Sequence, residues 1–223
     1  MDYLEWARKN KKPIAREFVR KIEYVAHEKP VGIFTAGLPG AGKTEFTQEL
    51  LKNLVDPPLR IDLDEIAQLI EGYSPMKANL FRSAASIILA RIYDEITKAG
   101  FDFVFDGTFA HDNALKNLER AISHRYTAKI YYIHQVPEVA WRFTKDRELV
   151  EKRSIERSGF IETYHSLYRN LSELQDKHKN VTISVIIKTD SNKVGEIVEN
   201  VDNIYDIIPH PLDHEQLEHA IVE

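Results

Sequence analysis

Cysteine is absent from all 223 residues. That excludes a disulfide scaffold, thiolate zinc sites, iron–sulfur clusters and any thiol nucleophile, and it fits a reducing compartment. Long apolar runs are missing too. No stretch approaches the roughly 18 residues that span a bilayer. The start, Met1-Asp2-Tyr3-Leu4-Glu5-Trp6, carries acids where a signal peptide needs a basic and then an apolar run. The cytoplasm is the expected location. A basic excess is also lacking: 30 Lys and Arg stand against 35 Asp and Glu, for a formal charge of −5. This argues against a broadly basic nucleic-acid coat.

What is present is ordinary for a folded chain, with 43% hydrophobic, 29% charged and 10% aromatic residues. The length suits one sizeable domain. Charge is unevenly spread. Residues 1–30 carry eight basic and five acidic residues, whereas 196–223 carry eight acids and no Lys or Arg, leaving 31–195 neutral. The oppositely charged ends raise the question of whether they meet across the fold.

From Val31 onward, short β-rich runs alternate with longer helical ones, as a parallel α/β sheet requires. Strands are predicted at Val31–Ala36, Leu59–Asp62, Phe101–Asp106, Ala128–His134 and Val181–Ile187. Helices are predicted at Lys43–Leu54, Ala78–Ala99 and Asp112–His124, with a long helical region from Glu138 to about Lys177. Leu80, Phe81, Ala84, Ile87, Ile88, Ile92 and Ile96 form a core stripe. Gly100 marks a helix stop, and Pro57-Pro58 breaks the chain before the second strand. Residues 1–30 read as amphipathic helices that pack on or regulate the core, with Phe18, Ile22, Tyr24 and Val25 as anchors. Residues 31–208 form the main domain, and 209–223 an acidic tail with a turn and a short helix. Periodicity leaves residues 194–208 open between strand-then-helix and a single helix.

Gly37-Leu38-Pro39-Gly40-Ala41-Gly42-Lys43-Thr44 matches G-x-x-x-x-G-K-[ST] in full, between a β-rich run and a helical segment. Glycines let successive backbone N–H groups converge into an anion cradle, and the helix N-terminus adds partial positive charge. Lys43 is expected to reach the β- and γ-phosphates, and Thr44 to bind Mg²⁺. A nucleoside triphosphate is the implied ligand. ATP is favoured because no N-K-x-D guanine-reading motif follows.

Leu59-Arg60-Ile61-Asp62-Leu63-Asp64 ends the second strand in acids, where open α/β sheets bind ligands. Phosphoryl transfer to a hydroxyl needs a base, a role assigned here to Asp64, with Asp62 as a cap or support. Both acids also suit simple helix capping. Phe101-Asp102-Phe103-Val104-Phe105-Asp106-Gly107-Thr108 places Asp106 after an apolar strand, in the Walker B arrangement that holds a water of the Mg²⁺ shell. Gly107 allows close approach, and Thr108 is a substrate contact. Among the basic residues between Trp141 and Ser158, Arg147, Arg153 and Arg157 are lid candidates for the transferring phosphoryl group. Interspersed acids equally fit a solvated helix with i,i+4 pairs. The histidines form no metal motif, and His134 reads as a core residue.

The blocks Gly37-x-Pro39-Gly40-x-Gly42-Lys43-Thr44, Ile61-Asp62-x-Asp64 and Gly100-Phe101…Phe105-Asp106-Gly107-Thr108 resemble the zeta toxins, small P-loop kinases of toxin–antitoxin systems, over about residues 31–160. The resemblance implies a P-loop, nucleotide-kinase-like three-layer sandwich with a mostly parallel five-stranded sheet and a helical lid. It implies Lys43 as the phosphate lysine, Asp64 as the general base, Thr108 at the substrate and an antitoxin protein as partner. Zeta toxins phosphorylate the sugar 3′-hydroxyl of UDP-N-acetylglucosamine. The family's Glu-Gly-Thr and following Arg are Asp106-Gly107-Thr108 and Ala110 here, and its substrate glutamate falls near Ala90. These departures lie on the sugar side. Other hydroxyl acceptors therefore stay open (a nucleotide or polynucleotide end, or an antibiotic), as does a nucleotide-dependent switch without an acceptor.

Overall fold

Val31–Ala36 is apolar at nearly every position, the pattern of a strand covered on both faces. It forms β1, at the middle of the sheet. A computed structural model describes residues 2–20, 26–151 and 154–222. The remaining strands are β2 (Leu59–Asp62), β3 (Phe103–Asp106), β4 (Thr127–His134), β5 (Thr182–Lys188) and β6 (Val194–Val198). Their order is β2-β3-β1-β4-β5-β6. All five predicted strands are present and parallel. The sheet has six strands, however, because β6 adds an antiparallel edge. Val194, Gly195, Glu196 and Ile197 are all exposed, so β6 shows no period-2 burial, and of the two readings left open for residues 194–208 the structure has strand and then a short helical turn.

Right-handed crossovers require α2 (Lys43–Lys52) on one face, and α4 (Ala78–Ala99), α5 (Ala114–Ser123), α6 (Pro137–Glu151) and α7 (Arg157–Lys177) on the other. Neighbouring tyrosines of β4 agree, since side chains alternate along a strand. Tyr131 meets Phe46 of α2 at 5.4 Å between rings, and Tyr132 donates its hydroxyl to that of Tyr168 in α7 at 3.2 Å. The result is a three-layer α/β sandwich. The long helical region predicted from Glu138 to about Lys177 holds two helices, α6 and α7.

Phe81, Ala84, Ile88, Ile92 and Ile96 of α4 are fully buried, and Gly100 ends the helix at φ 73°. Leu80 departs from the predicted stripe and is 62% exposed, because its helical neighbour Phe81 takes the inward position. Over α4 lies α1 (Tyr3–Arg20), with Ala7 and Ala15 buried and the Tyr3 ring 4.4 Å from Phe81. Phe18 packs against the core as expected. Ile22, Tyr24 and Val25 lie outside the described residues.

Near the C-terminus, Ile204–Asp206 forms a single 3-10 turn. Helix α8 (His214–Ala220) starts at a capping box of Asp213 and Gln216. Trp141 Nε1 donates to Val222 O at 3.0 Å, and Arg157 Nε to Ile221 O at 3.1 Å. The two charged ends are thus docked separately, α1 on α4 and α8 on α6 and α7.

Deleting residues 1–28 uncovers the apolar outer face of α4. The expected outcome is a lower thermal unfolding midpoint and aggregation during purification, with no gain in activity. A soluble, more active truncation would mark the segment as inhibitory instead.

Candidate active site

The glycine loop leaves β1 and enters α2 through a space with no room for side chains. A Cβ on Gly37 would lie 2.5 Å from Ile133 O, and one on Gly40 would lie 2.1 Å from Ala140 O. Both obstacles are backbone and cannot turn aside. Gly40 and Gly42 have φ of 78° and 81°, in the left-handed region that favours glycine. Gly42 is the N-cap of α2 and supplies no side chain, so the first-turn N–H groups of the helix are not capped by one. Such an end is a ready anion site.

Lys43 folds back beneath the loop and donates from Nζ to Leu38 O at 2.7 Å. Burial lowers its pKa from 10.5 to about 8, Asp106 opposing this and Arg147 adding to it. Both groups are therefore in electrostatic reach of the ammonium. Thr44 is half-buried at the start of α2.

Strand register sets the acids. Asp62 of β2 pairs with Asp106 of β3, so two carboxylates stand side by side at adjacent strand ends. Arg60, on the same strand face as Asp62 two residues earlier, holds them together. Its Nη2 donates to Asp62 Oδ2 and Asp106 Oδ2, each at 2.7 Å, its Nε to Asp106 Oδ2 at 3.0 Å, and its Nη1 to Glu65. The other Asp106 oxygen accepts from the Thr35 hydroxyl at 3.1 Å. Asp62 Oδ1 caps α3 (Leu63–Ala67), accepting from Asp64 N at 2.7 Å and Glu65 N at 3.2 Å. Burial raises the Asp62 pKa, and Arg60 opposes that rise. Asp64 is half-buried in the first turn of α3.

Thr108 follows β3. Its carbonyl accepts from Gly37 N at 3.2 Å, docking this segment onto the glycine loop, and its hydroxyl accepts from Ala110 N at 3.3 Å. Phe109 sits at φ 59°, an unusual conformation for a bulky residue. It is held by buried Asn170, whose amide donates to Phe109 O at 2.9 Å. A Cβ on Gly107 would meet only open space.

The predicted arginines separate. Arg147 is exposed on α6 and acts on Lys43. Arg153 lies outside the described residues. Arg157 does not turn to the loop, because α8 captures it: its guanidinium donates to Ile221 O and Glu218 O and pairs with the Glu218 carboxylate. His134 is a core histidine, as expected, with Nδ1 3.1 Å from the Tyr132 hydroxyl and its pKa lowered by burial to about 4. Sequence reading passed over Arg60, Thr35 and Asn170. Arg60 carried a usable signal, a charged residue in an apolar strand in phase with Asp62.

Glycine cradle, half-buried lysine and paired acids at the ends of parallel strands define a nucleotide-dependent phosphotransferase with a P-loop kinase fold. The zeta toxin family profile matches residues 15–200, and the chain belongs to that family. Among solved structures, the chain resembles one from the PezAT chromosomal toxin–antitoxin system of Streptococcus pneumoniae. The two are 13% identical, with a TM-score of 0.71 over 94% of this chain and 91% of that one. The AvrRxo1-ORF1:-ORF2 structure with ATP is also 13% identical, at TM-score 0.58 over 88% and 63%. The Pnkp1/Rnl/Hen1 RNA repair complex gives 13% and 0.52 over 85% and 54%. At such identities these likenesses concern the fold. No curated protein sequence matches.

Two outcomes test this electrostatics. Protonated Lys43 is the form that attracts phosphate, so nucleotide affinity of the free protein should fall as pH rises through about 8. Titration with a fluorescent ADP analogue from about pH 7 to 9.5 measures this, and Lys43→Met should flatten the dependence. Arg60→Met leaves two largely buried carboxylates without their counter-ion. Urea unfolding should show a loss of about 3 kcal/mol.

Proposed function

We propose that the protein transfers the γ-phosphoryl group of ATP to a hydroxyl of a small molecule, with a nucleotide-activated sugar such as UDP-N-acetylglucosamine as the favoured acceptor class. The observation that carries this reading is the shared strand-end crevice. Asp64 follows the Asp62 cap, Asp62 pairs in register with Asp106 at the end of β3, and the segment after β3 is joined to the glycine loop through Thr108 and Gly37.

Backbone N–H groups of Gly40, Gly42, Lys43 and Thr44 and the Lys43 ammonium bind the phosphates and offset their charge. Asp64 accepts the proton of the acceptor hydroxyl as that oxygen bonds to the γ-phosphorus and the bond to the β,γ-bridging oxygen breaks. ADP leaves. Thr108 orients the acceptor, and Arg147 stabilises charge spread over the transferring group. The hard oxygens of Thr44 and Asp106 suit Mg²⁺, since the Asp106 carboxylate keeps a lone pair on Oδ1 beyond the bond from Thr35, Arg60 occupying Oδ2. When bound with the nucleotide, Mg²⁺ would neutralise phosphate charge. Catalysis is then mainly positioning and electrostatics.

The acceptor assignment draws on family membership, while Asp106, Ala110 and the exposed Ala90 depart from the family's sugar-side pattern. The PezAT neighbour comes from a toxin–antitoxin system and the AvrRxo1-ORF1:-ORF2 neighbour is a complex, which supports an antitoxin protein as partner. The reading sets the protein in the cytoplasm. No described helix is long and apolar enough to cross a membrane.

A metabolite extract incubated with γ-labelled ATP should yield a labelled small molecule, identifiable by mass. Lys43→Ala should abolish it. Asp64→Ala should cut labelling by at least about 100-fold while ATP still binds. Full labelling by Asp64→Ala would remove it as the base, and ATP turnover independent of any metabolite would favour a nucleotide switch.

A further inference from the structure

Four basic residues form a row on α1. Arg8, Lys12, Arg16 and Arg20 follow one another at i,i+4 spacing, and all four are exposed. At 1.5 Å per residue the row runs about 18 Å along the helix. Like charges four residues apart repel and weaken a helix. Among the described residues no acid pairs with any of the four, whereas Lys9 on the same helix is paired with Glu5 at 2.8 Å. The apolar side of α1 is already used, since Ala7, Ala15 and Phe18 pack on the core. What remains outward is a surface that opposite charge would fill.

The C-terminal segment is its complement. Glu196, Glu199, Asp202, Asp206 and Glu215 are exposed, and among the described residues none of them forms an ion pair. No Lys or Arg lies between positions 196 and 223 to offset them. Within one chain the two surfaces stand apart. Helix α1 lies over α4, whose Tyr93 packs on Phe103 and Phe105 of β3 at 5.3 and 5.4 Å between rings, next to the β2 edge of the sheet. The acids begin on β6, the opposite edge, and continue beside α7, where Gln175 Nε2 donates to Asp202 O at 2.9 Å.

Four strand spacings separate β3 from β6, about 19 Å. Exposed charges that far apart are screened from one another, since the Debye length is about 8 Å at physiological salt. Neither surface therefore relieves the other in cis, and a second copy brings each its counter-charge. We propose that the basic row of α1 docks on the acidic C-terminal segment of a second copy of this chain. The contact joins different surfaces of the two molecules. A pair therefore keeps one free surface of each kind, and association runs head to tail into a closed ring or an open chain.

Sedimentation velocity on the full chain tests this. At about 20 mM NaCl the sedimentation coefficient should rise with protein concentration, and at about 300 mM the association constant should be at least about tenfold weaker. Arg8→Glu, Lys12→Glu and Arg16→Glu together turn the row acidic; Glu196→Lys, Glu199→Lys and Asp202→Lys together turn the other surface basic. Each triple variant should stay monomeric alone. An equimolar mixture of the two should associate again, because each then meets opposite charge, and that recovery shows that both are folded. A wild type that is monomeric at low salt, association that survives either reversal, or a mixture that stays monomeric would overturn the proposal. A monomeric wild type whose α1 row retains a labelled single-stranded oligonucleotide would assign the row to nucleic acid instead.

Discussion

The glycine loop runs where the backbone of its neighbours leaves no space for a Cβ. Ile133 O closes on Gly37 at the end of β4, and Ala140 O closes on Gly40 in the first turns of α6. Much follows from this contact. The loop cannot drift outward, so Gly42 must begin α2 in the left-handed region, and the uncapped N–H groups of that helix face the cradle. It also couples the loop to β4 and α6. A packing constraint thereby sets the electrostatic centre of the protein.

Charge is arranged around that centre in opposition. Lys43 is buried enough to lose some hold on its proton, yet Asp106 draws the other way. Asp62 and Asp106, forced together by strand register, coexist because one guanidinium spans both. Arg60 thus works at two levels. It neutralises a pair of carboxylates that would otherwise repel at adjacent strand ends, and through the Asp62 cap it steadies the turn that carries Asp64. The fold's stability and the aim of the candidate base run through the same side chain.

What was legible in the sequence follows from how local each cause is. Glycine at positions 37, 40 and 42 is a backbone requirement written residue by residue, and the loop could be read whole. The Asp62 cap and the Gly100 stop are local in the same sense. Arg157 was misread because it stands in a basic run beside the lid. Whether such a residue serves the phosphates or a distant carbonyl depends on where α8 comes to rest, some sixty positions on. The edge strand β6 stayed open between strand-then-helix and a single helix since nothing covers it. Its pairing comes from β5, and its own side chains face outward without alternation. Arg60 stood in phase with Asp62 in its own strand, but its pairing with Asp106 needed the β2–β3 register, which no single strand displays.

The charge partition takes on a different meaning once the ends are in place. The basic N-terminal helix and the acidic C-terminal segment do not neutralise one another. Each is held by apolar and backbone contacts of its own, Tyr3 on Phe81 at one end and Trp141 with Arg157 at the other. The net charge of the chain is therefore that of its two end segments, 1–30 and 196–223, while the neutral stretch 31–195 contains every side chain proposed for chemistry. A neutral sequence can still hold a polarised site. Lys43 stands on the loop and Lys188 comes beside it from the end of β5, while the acids gather at β2 and β3. The polarity that orients a triphosphate lies in the order of strands across the sheet, where residue counting does not reach.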